Sequence, residues 1–207
     1  METLKRSILA GMMIGIGSTV YLALDNKALG AALFTIGLFM ICAFGMYLFT
    51  GKIGYVIKNK NTPNCLVIWA GNLIGSSCVS IMVRLAKPQM QAAAAAVVAA
   101  KLQLGFLPVA LLSILCGFLM FLAVDNYARR PDTLSGILGL FLCVITFILS
   151  GFEHSIADMC YCAMAVSTPA EALKALVFIL IVSVFNGLGA IFMYWMTAQG
   201  AKKGADK

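Results

Sequence analysis

Leu138 to Val166 reads LGLFLCVITFILSGFEHSIADMCYCAMAV, an apolar run cut once, at Ser150 and Gly151, and followed at once by Glu153, His154 and Asp158. A run of this kind is long enough to cross a bilayer, whose hydrocarbon core takes about 20 apolar residues of helix. Glycine tolerates the backbone angles of a break, and Ser or Thr hydroxyls can satisfy the groups that the break sets free. Interrupted backbone at membrane depth persists only where it is buried in protein or lines a wet cavity, so the cut suggests a pathway. Ionisable side chains inside a span cost about 2.5 to 3.5 kcal/mol each on insertion scales and usually face a cavity or a partner. Glu153, the lone histidine and Asp158 therefore need a reason to be where they are.

The whole chain shares this character. Its 207 residues are 62% hydrophobic and 11% charged, with a mean hydropathy of +0.98, which is an integral membrane composition and not that of a soluble domain. The N-terminal METLKRSILAGMMIGIGSTVYLAL spans in full and lacks a small-residue cleavage site, so it reads as a first transmembrane helix and not a signal peptide. Seven cysteines lie mostly in apolar runs with no CxxC or Cys/His spacing, and read as small packing residues. The net charge of +7 is distributed between the apolar runs and forms no patch for nucleic acid.

Six spans can be drawn, at about residues 5–24, 28–50, 64–84, 104–124, 134–166 and 171–197. With six spans both termini share a side. Lys5, Arg6, Lys52, Lys58, Lys60, Arg129, Arg130, Lys202, Lys203 and Lys207 fall on that side, and Lys27, Arg84, Lys87, Lys101 and Lys174 on the other. The positive-inside rule then puts both termini in the cytoplasm. The loops leave no room for a soluble catalytic domain, and the chain reads as a transporter, not an enzyme. Between spans three and four, MQAAAAAVVAAKLQLG reads as a short helix ending near Lys101, because alanine is the best helix former; a disordered low-complexity tract is the competing reading.

The second span is interrupted as the fifth is: in LFTIGLFMICAFGMYLFTGKIGYVI, Leu33 to Ile57, the residues Thr50, Gly51 and Lys52 make the cut. The third and sixth spans each carry an Asn and a Gly at helical spacing, Asn72 and Gly75 in WAGNLIGS and Asn186 and Gly189 in FNGLGAIF. The pattern is an internal repeat, about 1–85 and about 102–200, within a single transmembrane domain over 1–207. Three spans reverse sidedness, so the halves are inverted relative to each other, an arrangement that places a site near the midplane between broken helices. Close packing by small residues also accounts for such glycines, but not for their recurrence in both halves. On a helix His154 and Asp158 share a face, which favours His154 for the pore. Glu153 points elsewhere and is expected to accept backbone N–H groups at a neighbouring break.

SGFEHSIADM, Ser150 to Met159, resembles the fifth-span signature of the formate/nitrite transporter family, and LFTG, Leu48 to Gly51, resembles that family's loop motif. WAGN and NGLG fall where the family has its Asn/Gly motifs, so the similarity covers nearly all of the chain. The resemblance implies an all-α, aquaporin-like fold of six transmembrane helices in an inverted 3+3 repeat with broken second and fifth helices. It also implies a homopentamer in the plasma (inner) membrane of a prokaryote, with one pore per protomer, passing small monovalent anions such as formate, nitrite or hydrosulfide, often with a proton. By position, His154 matches the central pore histidine and Thr50 its partner on the loop. Leu48 and Phe49 match the loop residues before that threonine, Leu38 and Phe147 apolar constrictions, and Lys101 a vestibule lysine. Asp158 stands where asparagine is usual, and Gly117 where formate and nitrite members commonly carry a pore-facing asparagine. Little precedes the first span, so the pre-span helix proposed to gate some members is not assumed.

The mechanism these residues suggest is that Lys101 and the helix ends attract an anion, while the apolar rings strip its water and favour the protonated acid. His154, near Thr50, supplies the proton or holds the anion until one arrives. Two further classes are open on sequence: a membrane-anchored electron-transfer subunit with His154 as haem or metal ligand, and a neutral-solute pore, although neither break carries an NPA motif. The channel reading calls for no cofactor and no metal.

Overall fold

In the computed structural model, which describes residues 1–58, 64–131 and 133–204, the described chain is helical throughout. Lys60 and Lys207, counted above for sidedness, lie outside the described residues. The helices are α1 (Glu2–Ala23), α2 (Lys27–Ala43), the short α3 (Phe49–Lys52), α4 (Cys65–Ala86), α5 (Gln89–Leu102), α6 (Phe106–Arg129), α7 (Leu134–Leu149), α8 (Ser155–Ala165) and α9 (Pro169–Gly204). Polar side chains start several of them: Asn26 accepts the Leu29 N–H, Asn64 that of Leu66, and Thr133 that of Gly136, each satisfying one of the donors that a helix start leaves open. The alanine-rich stretch is α5, a regular helix ending just past Lys101.

Helices α1, α4, α6 and the Pro169–Ala198 part of α9 are long and apolar enough to cross a membrane, whereas α2 and α7 are shorter apolar helices. Large apolar side chains such as Leu66, Leu85 and Leu134 are more than 70% exposed. In water such a surface would be costly; against lipid tails it is matched to its solvent.

Each short apolar helix ends in a turn, and the two turns are made in the same way. After α2, the Phe44 N–H donates to Met40 O, Gly45 to Cys42 O and Met46 to Ile41 O; after α7, Ser150 donates to Thr146 O, Gly151 to Ile148 O and Phe152 to Phe147 O. Among the described residues Gly45 and Gly151 are the two glycines with positive φ, at 62° and 67°, a region in which other residues are strained. The first interruption is therefore at Phe44–Leu48 and not at Thr50–Lys52, which lie inside α3. The second is where Ser150 and Gly151 put it, and the helix resumes at Ser155.

The two asparagines hold the restarted helices. Asn72 Oδ1 accepts the Phe49 N–H at 2.8 Å, while its Nδ2 donates to Ser7 O at 2.8 Å and Tyr47 O at 2.9 Å. Asn186 repeats the set: Oδ1 accepts the Ser155 N–H at 2.9 Å, and Nδ2 donates to Ser113 O and Glu153 O at 2.8 Å. Each amide thus ties a break to two long helices and leaves no buried donor of its own open. Glycines let the helices come this close. A Cβ on Gly11 or Gly75 would strike the backbone of Asn72 or Ile8, and one on Gly117 or Gly189 that of Asn186 or Ile114. Gly117 accordingly packs α6 onto α9: the backbone of α9 fills the place that a side chain there would need.

Candidate functional site

The two breaks meet in the interior. His154 is the extended residue at the start of α8, and its Nδ1 accepts the Ala157 N–H at 3.2 Å. That bond fixes the ring: Nδ1 is the acceptor, so the proton of the neutral imidazole is on Nε2, 3.0 Å from Thr50 Oγ1. Thr50, on α3, is fully buried, and His154 is 1% exposed. The Nε2–H donates to the Thr50 hydroxyl, whose own hydrogen has no further protein acceptor among the described residues. The Phe147 ring lies 5.3 Å from the imidazole, with Phe34 edge-on behind it at 6.0 Å.

A cavity lies on either side of this bridge. One, of about 360 Å³, is bordered by Lys101, Phe147, Gly151, Glu153, His154 and Asp158. The other, of about 210 Å³, is bordered by Ile41, Gly45, Leu48, Gly51, Lys52 and Tyr127, and Arg6 near the start of α1 donates to its Gly45 carbonyl. The linings share no residue. Thr50 belongs to neither, but His154 borders the first cavity and Leu48 and Gly51, on either side of the Phe49–Thr50 step, border the second, so the Thr50–His154 hydrogen bond joins the two linings across a wall of buried side chains.

The Lys101 cavity carries a charge cluster. Lys101 reaches in from α5, and its ammonium donates to Glu153 Oε2 and lies 3.0 Å from Asp158 Oδ1. Glu153 is 2% exposed, Asp158 1% and the Lys101 side chain 18%. The second contact is one of charge, because neither Asp158 carboxylate oxygen has a hydrogen bond among the described residues. Glu153 was expected to accept backbone N–H groups; instead its carboxylate takes Lys101, and Asn186 takes the backbone. Lys101 is likewise not a free cation, since two carboxylates already share it. His154 and Asp158 do border one cavity, but His154 stands at the helix start and receives the Asp158 N–H on its carbonyl.

The other sequence candidates divide. Leu48 and Gly51 border the Lys52 cavity, and Phe147 and Gly151 the Lys101 cavity. Leu38 is fully buried and borders neither. Phe49 faces away, into an apolar groove with Trp69, Leu180 and Gly187, and its link to the site is its N–H on Asn72. Consecutive residues at a helix start point about 100° apart, so Leu48, Phe49 and Thr50 do not share a face. Sequence reasoning missed Gly45 and the site's Ile41 and Tyr21; Gly45 lies among Phe44, Met46 and Tyr47, and nothing local marked any of the three. The haem or metal reading of His154 finds no support, because hydrogen bonds engage both ring nitrogens. Among the described residues no three His, Cys, Asp or Glu side chains group as metal ligands.

Comparison with known proteins bears on the same elements. The family model described as formate/nitrite transporter matches residues 1–199. The chain is 28% identical to the formate channel FocB of Escherichia coli, over 72% of this chain and 61% of that protein. It is 30% identical to the uncharacterized transporter YwcJ of Bacillus subtilis, over 77% of this chain and 72% of that protein. With the nitrite transporter NirC of Escherichia coli the figures are 28%, 77% and 66%. The matched part thus spans about two thirds of these relatives, and less of FocB. Among solved structures, an FNT family ion channel superposes with a TM-score of 0.81 at 25% identity, covering 95% of this chain and 90% of that one. A pentameric formate channel with formate bound superposes with a TM-score of 0.80 at 24% identity, covering 97% and 96%.

Proposed function

The chain belongs to the formate/nitrite transporter family, and from that premise we propose that it passes small monovalent weak-acid anions, formate, nitrite or hydrosulfide, across the membrane together with a proton. The observation that carries the reading is the Thr50–His154 bridge in the wall between two cavities. In this reading α2 with α3 and α7 with α8 are the broken second and fifth of six spans, in an inverted 3+3 repeat. The matched turns at Gly45 and Gly151 and the matched Asn72 and Asn186 support it. Both termini face the cytoplasm of a prokaryotic cell, the whole chain is one transmembrane domain, and five copies assemble, as in the pentameric formate channel whose fold it shares.

In this reading water fills the two cavities and buried side chains keep it out of the layer between them. An anion that leaves water for the layer of Phe147, Leu48 and Ile41 loses hydration worth far more than one hydrogen bond returns, so the crossing species is the neutral acid. His154 meets it as a neutral ring. A second proton on that ring would have to sit on Nδ1 and displace the Ala157 N–H, so the ring orients and donates through Nε2 and Thr50 in preference to becoming an imidazolium. The Thr50 hydroxyl hydrogen is aimed by that bond and holds the substrate's oxygen or sulfur at the crossing. The proton then comes with the substrate from the cavity water.

Uptake of formate, nitrite and hydrosulfide into proteoliposomes, with and without a proton gradient, tests the reading. Gradient-sensitive uptake of at least one of them, lost in His154→Ala, is the expected result. Water or glycerol flux without anion flux would overturn it.

A further inference from the structure

Lys52 and Asp158 hold equivalent places in the two restarted helices. The Lys52 N–H donates to Leu48 O at 3.0 Å, and the Asp158 N–H to His154 O at 2.9 Å. The same step in the scaffold thus delivers a cation to one cavity and a carboxylate to the other. Among the described residues Lys52 has no carboxylate within ion-pair distance, and its ammonium lies over the Tyr47 ring at 5.3 Å. On the far side Glu153 and Asp158 share the single ammonium of Lys101. With all groups ionised, that cavity carries one negative charge beside the place where an anion must enter.

Two buried carboxylates that share a site and one cation are costly to keep both ionised. They are not equivalent here. Glu153 accepts the Lys101 hydrogen bond, whereas both Asp158 oxygens are buried and without one, so a proton on Asp158 breaks no hydrogen bond and restores neutrality. The surrounding titratable groups do not supply the missing charge. Tyr21 from α1 and Tyr161 from α8 border the cavity with His154, Cys116 of α6 lies buried nearby, and from α4 Arg84 is committed to Val166 O at the other end of α8. Helix α9 contributes Asn186 at the helix start, an uncharged group.

We propose that Asp158 is a proton-binding gate of the Lys101 cavity, which admits anions from that side when a proton from the cavity water is bonded to its carboxylate and repels them when that proton returns to water. No bond of the substrate is made or broken in the gating step; the cavity goes from one net negative charge to none. The inference rests on the transport reading above. It adds a specificity-determining residue at which the sidedness of the pore is set, since the Lys52 cavity needs no such proton.

The test compares wild type with Asp158→Asn in oriented proteoliposomes, with formate presented on the Lys101 side. The ratio of the two uptake rates cancels the substrate's own protonation. Asp158→Asn is expected to exceed wild type about tenfold at about pH 9 and to match it at about pH 6, while Asp158→Glu keeps the wild-type profile. Infrared difference spectra of the same preparations are expected to show a protonated carboxyl band that Asp158→Asn lacks. A pH-independent ratio, or no such band at any pH, overturns the gate. Should neither protein carry any anion while the band persists, the transport reading and the gate with it fail, but the proton site on Asp158 stands.

Discussion

Leu48 and His154 are structural equivalents: each is the extended residue from which a helix restarts after a break, and each borders the cavity on its own side of one wall. The turns before them, the asparagines that hold the restarted helices and the glycines that let those asparagines approach all come in matched pairs. The side chains that meet the wall do not. Where one half has Tyr47, Leu48, Thr50 and Lys52, the other has Glu153, His154, Ile156 and Asp158. A symmetric scaffold therefore positions an asymmetric set of polar groups, and chemistry can differ between the two faces without any change in how the helices are held.

Removing the hydroxyl isolates one partner of the wall. In Thr50→Val the His154 Nε2–H loses its acceptor in a fully buried place, at a cost of about 1 to 3 kcal/mol. Formate or nitrite uptake by reconstituted protein is expected to fall about tenfold, with Thr50→Ser close to wild type. Equal uptake by the valine variant would mean that the bridge plays no part in passage.

His154→Leu makes the second break resemble the first. The Ala157 N–H loses its acceptor, which costs about 1 kcal/mol as for other helix starts. The assembled protein is therefore expected to survive, as checked by size-exclusion chromatography, while anion uptake is lost. Retained uptake would place the polar function of the wall elsewhere.

Asn72 and Asn186 are expected to matter equally. Each makes three hydrogen bonds within a buried site, so replacement by leucine leaves one N–H and the Tyr47 or Glu153 carbonyl without a partner and strips a second acceptor bond from Ser7 O or Ser113 O, inside α1 or α6. A loss of about 3 kcal/mol or more is expected for either variant in thermal unfolding of the detergent-solubilised protein. A large effect at one and none at the other would contradict the matched roles.

Much of this was legible in the sequence where chemistry is local. Gly151 sits in a polar stretch and marks its break directly, and the Asn–Gly pairs of the third and sixth spans identified the residues that hold the restarted helices. Gly45 was hidden because it lies among Phe44, Met46 and Tyr47, whereas Thr50–Lys52 looked like punctuation yet fits inside a helix turn. Side-chain direction was less legible. The faces of Phe49 and Gly117 depend on which neighbour fills the adjacent space, and that neighbour is α9, distant in sequence. The Lys101–Glu153–Asp158 cluster was out of reach for the same reason: α5 brings the lysine from 52 residues before Glu153.

The glycines give the sharpest contrast between strain and space. Gly151 has φ at 67°, but a Cβ there would meet nothing within 4 Å, so Gly151→Ala meets only the left-handed backbone penalty, about 1 to 2 kcal/mol. Gly117 has ordinary helical backbone but no room: its Cβ would run into the carbonyl of Asn186, the residue that also holds the start of α8. Relief requires α6 and α9 to move apart and drags the Asn186 bonds with them. Gly117→Ala is therefore expected to lower the thermal midpoint well beyond Gly151→Ala, and Gly117→Asn to yield little assembled protein. A well-folded Gly117→Asn with altered anion preference would show that this position faces the pore after all.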